Sequence, residues 1–213
     1  MKQIISAVFV LQFFALFVRA NAQVQVSTHK KKNPSSFFNK LDHLSFAVSN
    51  SHTAMPFNRF SALFMEDLHP GLEIGTGLIW KEKRNHAWIQ TFKLGYSYHR
   101  FVQHTALLYT ETGYRVKFPA GFYATAKLGF GYMHSKEDSE VFVLTKEGRY
   151  DRSPKFGRSH AMSGLTTEIS KKIEKDVYFF LGYQQRLQFG FIDAYVPMLP
   201  GNIILIGASI PVF

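Results

Sequence analysis

The sequence predicts an all-β fold, specifically an eight-stranded antiparallel up-and-down transmembrane β-barrel. Three observations point there: eight segments alternate with a period of two, the connections between them alternate long and short, and no apolar run after the N-terminal segment reaches the length of a membrane helix. The stretch 103–134 shows the period most clearly. From Phe122, one face holds Phe122, Ala124, Ala126, Leu128, Phe130 and Tyr132, and the other holds Tyr123, Thr125, Lys127, Gly129, Gly131 and Met133. Successive strand residues point to opposite sides of a sheet. One face therefore suits hydrocarbon, and the other is small, polar and sparsely charged, as in a membrane-spanning barrel strand.

The 213 residues suffice for one domain with a real core. With no cysteine, the chain has no disulfide, thiolate metal site, cysteine nucleophile or lipid-anchored cysteine. The 22 Phe and 10 Tyr are many for a soluble domain of this size. The formal charge of +10 raises nucleic acid as a partner. The basic residues are dispersed and no recognition motif accompanies them, so no nucleic acid is expected. Anionic outer-membrane lipid or lipopolysaccharide is the expected counterpart.

Residues 1–22 have the form of a secretory signal: Lys2 at the start, an apolar run from Ile4 to Val18, then Ala20-Asn21-Ala22 as a small-x-small cleavage site. The apolar run is short for an uncleaved anchor. Residues 23–40 are polar and include Lys30-Lys31-Lys32, which reads as a periplasmic lead-in. The barrel domain is 41–213. The expected destination is the outer membrane.

The expected strands, in order, begin at about 42–50, with Leu44, Phe46 and Val48 on the apolar face. The second is about 70–80 (Leu72, Ile74, Thr76, Leu78, Trp80), and the third about 86–98 (Trp88, Phe92, Leu94, Tyr96, Tyr98). The fourth is about 104–117 (Ala106, Leu108, Thr110, Thr112, Tyr114, Val116), and the fifth about 121–134. The sixth is about 159–171 (Ala161, Leu165, Thr167, Ile169), and the seventh about 176–189 (Val177, Phe179, Leu181, Tyr183, Leu187, Phe189). The eighth is about 201–213. The connections 51–69, 135–158 and 190–200 are long, 99–103 is modest, and 81–85, 118–120 and 172–175 are short. Short turns belong on the periplasmic side, which puts both ends of the mature barrel there. Trp80 and Trp88 flank one short turn where an interfacial aromatic girdle would lie, and Tyr96, Tyr98 and Tyr132 fall near the opposite rim.

The inward phase carries the charges: Glu73, Lys93, Glu111, Arg115, Lys127, Glu168 and Arg186. Many glycines share that face and leave room for long side chains. An eight-stranded barrel has an interior about wide enough for side chains to fill. Opposite charges there would pair, because a lone charge away from water is costly. The expectation is a mostly filled lumen held by a polar network, with a narrow ion path as the alternative. A soluble lipocalin-like barrel would invert the faces and bind an apolar ligand. Its outer face should then be dense in charge, whereas this one is mainly glycine, serine and threonine.

These features resemble the small eight-stranded outer-membrane barrels of Gram-negative bacteria, the OmpA/OmpX-like and related outer membrane protein beta-barrel group. The resemblance covers about 41–213 and rests on the signal, the strand count, the loop alternation and the terminal Phe213. It implies that the last strand, ending at Phe213, is recognised by the outer-membrane assembly machinery. Pro211, Ser209 and Gly207 stand in phase with Phe213 where apolar residues are expected, which a bulge near Pro211 would explain. The resemblance also implies a runner-up activity, since some such barrels are lipid A deacylases or acyltransferases. These need a serine, a histidine base and an orienting acid. His43-Leu44-Ser45 and Tyr96-Ser97-Tyr98-His99 carry the residue types, but no GxSxG elbow is present.

Five histidines, His69, His99, His104, His134 and His160, fall at or beside outer strand ends. Such a cluster could bind metal or touch lipid headgroups. No HExxH or comparable spacing occurs, so interfacial polar residues are the plainer reading, and neither a metal nor a cofactor is expected. The expected role is structural, or the presentation of loops for surface binding.

Overall fold

The computed structural model describes residues 41–55, 67–100, 102–138, 142–144, 148–152, 156–173, 176–192 and 196–211. The expected signal segment, the lead-in and Phe213 lie outside them. Ten strands lie among the described residues: β1 (Leu41–His52), β2 (Pro70–Glu82), β3 (His86–His99), β4 (Gln103–Lys117), β5 (Phe122–Glu137), β6 (Phe142–Leu144), β7 (Tyr150–Arg152), β8 (Arg158–Lys172), β9 (Tyr178–Ile192) and β10 (Val196–Pro211). Eight of them close into one antiparallel barrel in the order β1-β10-β9-β8-β5-β4-β3-β2, and β6 pairs only with β7. Neighbours in the barrel are neighbours in sequence apart from that inserted hairpin, which makes it up-and-down. Closure is by β1 on β10, from His43 opposite Pro211 to His52 opposite Asn202.

The period-two pattern forms strands because each has two different solvents to satisfy. Along β4, Leu107, Tyr109 and Glu111 are buried, while Leu108 is 60 % exposed. On β5, Leu128 and Phe130 are exposed in the same way, and Thr125, Lys127 and Met133 are buried. The exposed large apolar residues run round the wall, through Leu72, Leu94, Ile169, Leu181 and Ile206 among others. An apolar surface of that extent does not face water in a monomeric soluble protein; it is the lipid-facing band of a transmembrane barrel.

The turns are built locally. Between β4 and β5, Pro119–Gly121 makes one 3₁₀ turn, with Ala120 (φ 60°) and Gly121 (φ 77°) in the left-handed region. The Phe118 amide donates to the Phe122 carbonyl at 2.8 Å and seals it. Three features differ from expectation. The segment 135–158 contains the β6–β7 hairpin rather than loop alone. Strand β10 begins at Val196, so the connection expected at 190–200 shrinks to 193–195 between β9 and β10. Finally, the bulge lies at the other end of β10, between Val196 and Met198, where Pro197 cannot donate to the ladder. Pairing of β10 with β1 runs unbroken to Pro211.

The interior is narrow enough that some glycines are spacers. A Cβ on Gly131 would come within 2.3 Å of Tyr109 Cβ and 2.4 Å of the Leu108 carbonyl oxygen. A Cβ on Gly201 meets nothing nearer than 3.9 Å. We therefore expect Gly131→Ala to cost about 1–3 kcal/mol by overpacking, and Gly201→Ala to change stability by less than about 0.5 kcal/mol. Urea unfolding of the two variants in lipid vesicles measures the difference.

Candidate functional site

Six of the seven predicted inward charges form one connected network. Lys93 Nζ stands 2.9 Å from Glu111 Oε2 and 3.8 Å from Glu73 Oε2. Lys127 Nζ stands 2.7 Å from Glu168 Oε2 and 3.5 Å from Glu111 Oε2. Arg186 Nη2 reaches Glu73 Oε1 at 3.1 Å. Three carboxylates thus meet three cations drawn from β2, β3, β4, β5, β8 and β9. The Arg186–Glu73 pair crosses the lumen, since β9 and β2 are separated in the sheet by β10 and β1. Arg115 is the exception: among the described residues it makes no ion pair, and its Nε is buried without a hydrogen-bond partner.

The network contains neutral members that the charge pattern alone did not single out. The Tyr109 hydroxyl donates to Glu73 Oε2 at 2.7 Å. Its ring also lies between two cations, 5.6 Å from Lys93 Nζ and 5.7 Å from the Arg186 guanidinium. Thr166 donates to Glu111 Oε1 at 2.6 Å, Thr91 to Oε2 at 3.2 Å, and Gln184 Nε2 to Oε1 at 3.2 Å. Arg186 also donates to Gln184 Oε1. Every oxygen of Glu111 is therefore met, and the side chain is 1 % exposed. The phase was a usable signal, because Tyr109 is two residues from Glu111 and Gln184 two from Arg186. Apolar clusters adjoin the polar one: Leu107, Tyr109, Met133 and Met162 on one side, and Ala47, Ile203 and Leu205 with Phe180 on another.

The five outer histidines do not converge. His69 and His99 stack with ring centroids 3.7 Å apart. His104 lies on the wall, where the Asp138 carboxylate accepts from its Nε2 at 3.1 Å and Tyr96 OH meets its Nδ1 at 2.7 Å. Tyr98 donates to the same carboxylate at 3.0 Å. His134 binds the Phe156 carbonyl through Nε2 at 2.8 Å and stacks on Tyr132. His160 turns inward and is 3 % exposed. Its Nδ1–H donates to the Gly190 carbonyl at 3.0 Å, so Nε2 is left to accept the Ser135 hydroxyl at 2.7 Å. Among the described residues, no three His, Asp or Glu side chains are placed to hold a metal ion.

The serine–histidine pairs considered from sequence are not assembled. His43 bonds Asp42 at 3.0 Å and packs over Gly77, and no hydrogen bond joins it to Ser45. His99 bonds the Arg100 carbonyl and Thr53 rather than Ser97. Ser135–His160 has the contact of a base with a hydroxyl, but both side chains are buried and the partner of Nδ1 is a carbonyl, not an acid.

No protein-family model matches the chain, and no curated protein does. Among solved structures, Neisserial surface protein A is similar at 9 % identity, over 81 % of this chain and 96 % of that one, with a TM-score of 0.48. Ail, the attachment invasion locus protein of Yersinia pestis, is similar at 8 % identity, over 80 % and 97 % of the two chains, with a TM-score of 0.44. The N-terminal β-barrel domain of Pseudomonas aeruginosa OprF is similar at 11 % identity, over 78 % and 97 %, with a TM-score of 0.37. All three are small outer-membrane barrels, and the likeness is one of fold.

Removing one member of a buried ionic cluster leaves an uncompensated charge, at a cost of about 3–5 kcal/mol. We expect Glu73→Gln to lose that much, because Arg186 keeps no other carboxylate among the described residues. Thr91→Val, which removes one hydrogen bond to Glu111, should lose about 1 kcal/mol. Midpoints of chemical unfolding in vesicles report both.

Proposed function

We propose that the chain is an outer-membrane β-barrel protein whose lumen is mostly filled, and whose role is structural or the presentation of its outer loops for surface binding. The observation that carries this is the cross-lumen network centred on Glu111. It places charged and polar side chains from six strands where a conducting path would have to run, and eight-stranded barrels have interiors that side chains can fill.

The outer end supports the binding part. The β6–β7 hairpin stands on the connection between β5 and β8, and Phe142, Tyr150 and Phe156 there are 54 %, 72 % and 91 % exposed. Exposed aromatic residues on a loop are the usual anchors of a protein or saccharide contact. At the rim, Lys136 lies opposite His104 in the β4–β5 register, above Tyr96 and Tyr132. A cation over an aromatic belt at that height suits the phosphates of lipopolysaccharide. Export by the 1–22 segment, and recognition by the assembly machinery through a last strand ending at Phe213, complete the proposal.

The reading is tested by putting a charge on the wall. Leu128 is 55 % exposed, midway between Ala124 and Tyr132 on β5. In a lipid-embedded barrel, Leu128→Arg costs about 2–4 kcal/mol near the bilayer midplane. In a soluble barrel the same side chain faces water, and the substitution is harmless. Unfolding in vesicles, together with membrane fractionation and heat-modifiable gel mobility of the native protein, decides between them. A soluble, non-heat-modifiable product would contradict the proposal.

A further inference from the structure

At the short-turn end of the barrel, the β2–β3 hairpin is built around a bulge. The register between the two strands shifts between Ile79 and Lys81, which brings Lys81 opposite Trp88, a residue 48 % exposed on the outer wall. Bulges re-aim side chains in this way. The Lys83 amide donates to the His86 carbonyl at 2.8 Å and closes the turn. The Tyr114 ring packs beside His86 at 5.4 Å and edge-on to Trp88 at 6.3 Å. Lys81, Lys83, His86, Trp88 and Tyr114 together line an open cleft of about 450 Å³. No acid lines it. Glu82 is the neighbouring carboxylate in sequence, yet among the described residues neither Lys81 nor Lys83 makes an ion pair.

A second groove, of about 620 Å³, begins at the same Tyr114 and continues along the lipid-facing wall. Ala124, Ala126 and Thr167 are its small lining residues, and Ile169, Leu181 and Ile206 its bulky ones. The wall is dented there because β5 offers two alanines: Ala126 pairs with Thr167 on β8, and Ala124 with Ile169. A cationic, aromatic-lined cleft and an apolar groove thus flank one shared side chain, Tyr114, which stands opposite Trp88 on one side and Ala126 on the other.

We infer that this surface is a binding site for a phospholipid with an anionic headgroup, taken from the leaflet on the short-turn side. Lys81 and Lys83 hold the negatively charged phosphodiester, Trp88 and Tyr114 pack against the glycerol region, and one acyl chain lies in the groove floored by Ala124 and Ala126. Charge complementarity favours a phosphate-bearing occupant, and the apolar groove adjoining the cleft at Tyr114 favours a lipid over a free anion. The inference rests on the membrane-spanning reading above, with the short turns at the periplasmic leaflet.

Native mass spectrometry of the full protein, purified from membranes in a non-ionic detergent, tests it by titration with phosphatidylglycerol, phosphatidylethanolamine and inorganic phosphate. One lysine near an anionic lipid surface contributes about fivefold in affinity. The expected result is one phosphatidylglycerol bound at least about fivefold more tightly than phosphatidylethanolamine, with inorganic phosphate unable to displace it. Lys81→Gln/Lys83→Gln should abolish the preference. Ala126→Trp, which fills the groove, should weaken both lipids while leaving the preference in place. Heat-modifiable mobility checks that each variant is folded. Equal binding of the two lipids, a preference that survives loss of both lysines, or displacement by inorganic phosphate would each overturn the site while leaving the barrel reading intact. A native protein without heat-modifiable mobility would overturn the membrane reading and the site with it.

Discussion

A carboxylate held at 1 % exposure has to be met on both oxygens, and the arrangement around Glu111 follows from that demand. Lys93 and Lys127 supply charge, while Thr91, Thr166 and Gln184 supply hydrogen bonds. These groups come from β3, β5, β8 and β9, so satisfying Glu111 fixes how four strands stand relative to β4. The second carboxylate, Glu73, repeats the device with Tyr109 and Arg186 and ties β2 to β9 across the lumen. Buried ion pairs give little net stability over a well-packed apolar core. What they add here is specification: a shift of β4 by one residue would put Glu111 into lipid and Leu108 or Thr110 into the network.

The two faces of each strand then carry separate tasks. The inner face carries the polar cluster and the Leu107–Met133–Met162 and Ile203–Leu205 clusters. The outer face matches the bilayer, with aromatic side chains at both margins: Trp80 and Trp88 near the short turns, Tyr96 and Tyr132 near the long connections. Hydrogen bonds at the margins tie polar residues to these rings, as in Trp80 Nε1 donating to Gln90 Oε1 at 3.0 Å. Away from the wall, the β6–β7 hairpin stands on the connection between β5 and β8, and the β2–β3 bulge lies at the short-turn end.

Period two was the informative feature of the sequence, because in a barrel this thin the phase alone decides whether a side chain meets lipid or lumen. It assigned Glu73, Lys93, Glu111, Lys127, Glu168 and Arg186 to one side without any knowledge of pairing. It could not say which of them touch, since Arg186 and Glu73 are 113 positions apart and meet only because the sheet closes. Arg115 shares the phase and yet stands outside the network. The histidines were opaque for a related reason. Their sequence positions cluster them at one end of the barrel, but the pleat sends His160 inward and His104 and His134 outward. The start of β10 was hidden inside the connection expected at 190–200, because Pro197, which cannot donate to a ladder, sits in a bulge.

The claim on which the rest stands is that the inner charges act as one coupled unit. A double-mutant cycle measures it directly, with Lys93→Met and Glu111→Leu made singly and together and each variant unfolded in vesicles. The account predicts that the double variant is less destabilised than the sum of the singles by about 1–3 kcal/mol, as for residues in one ionic network. Additive effects within about 0.5 kcal/mol would contradict it.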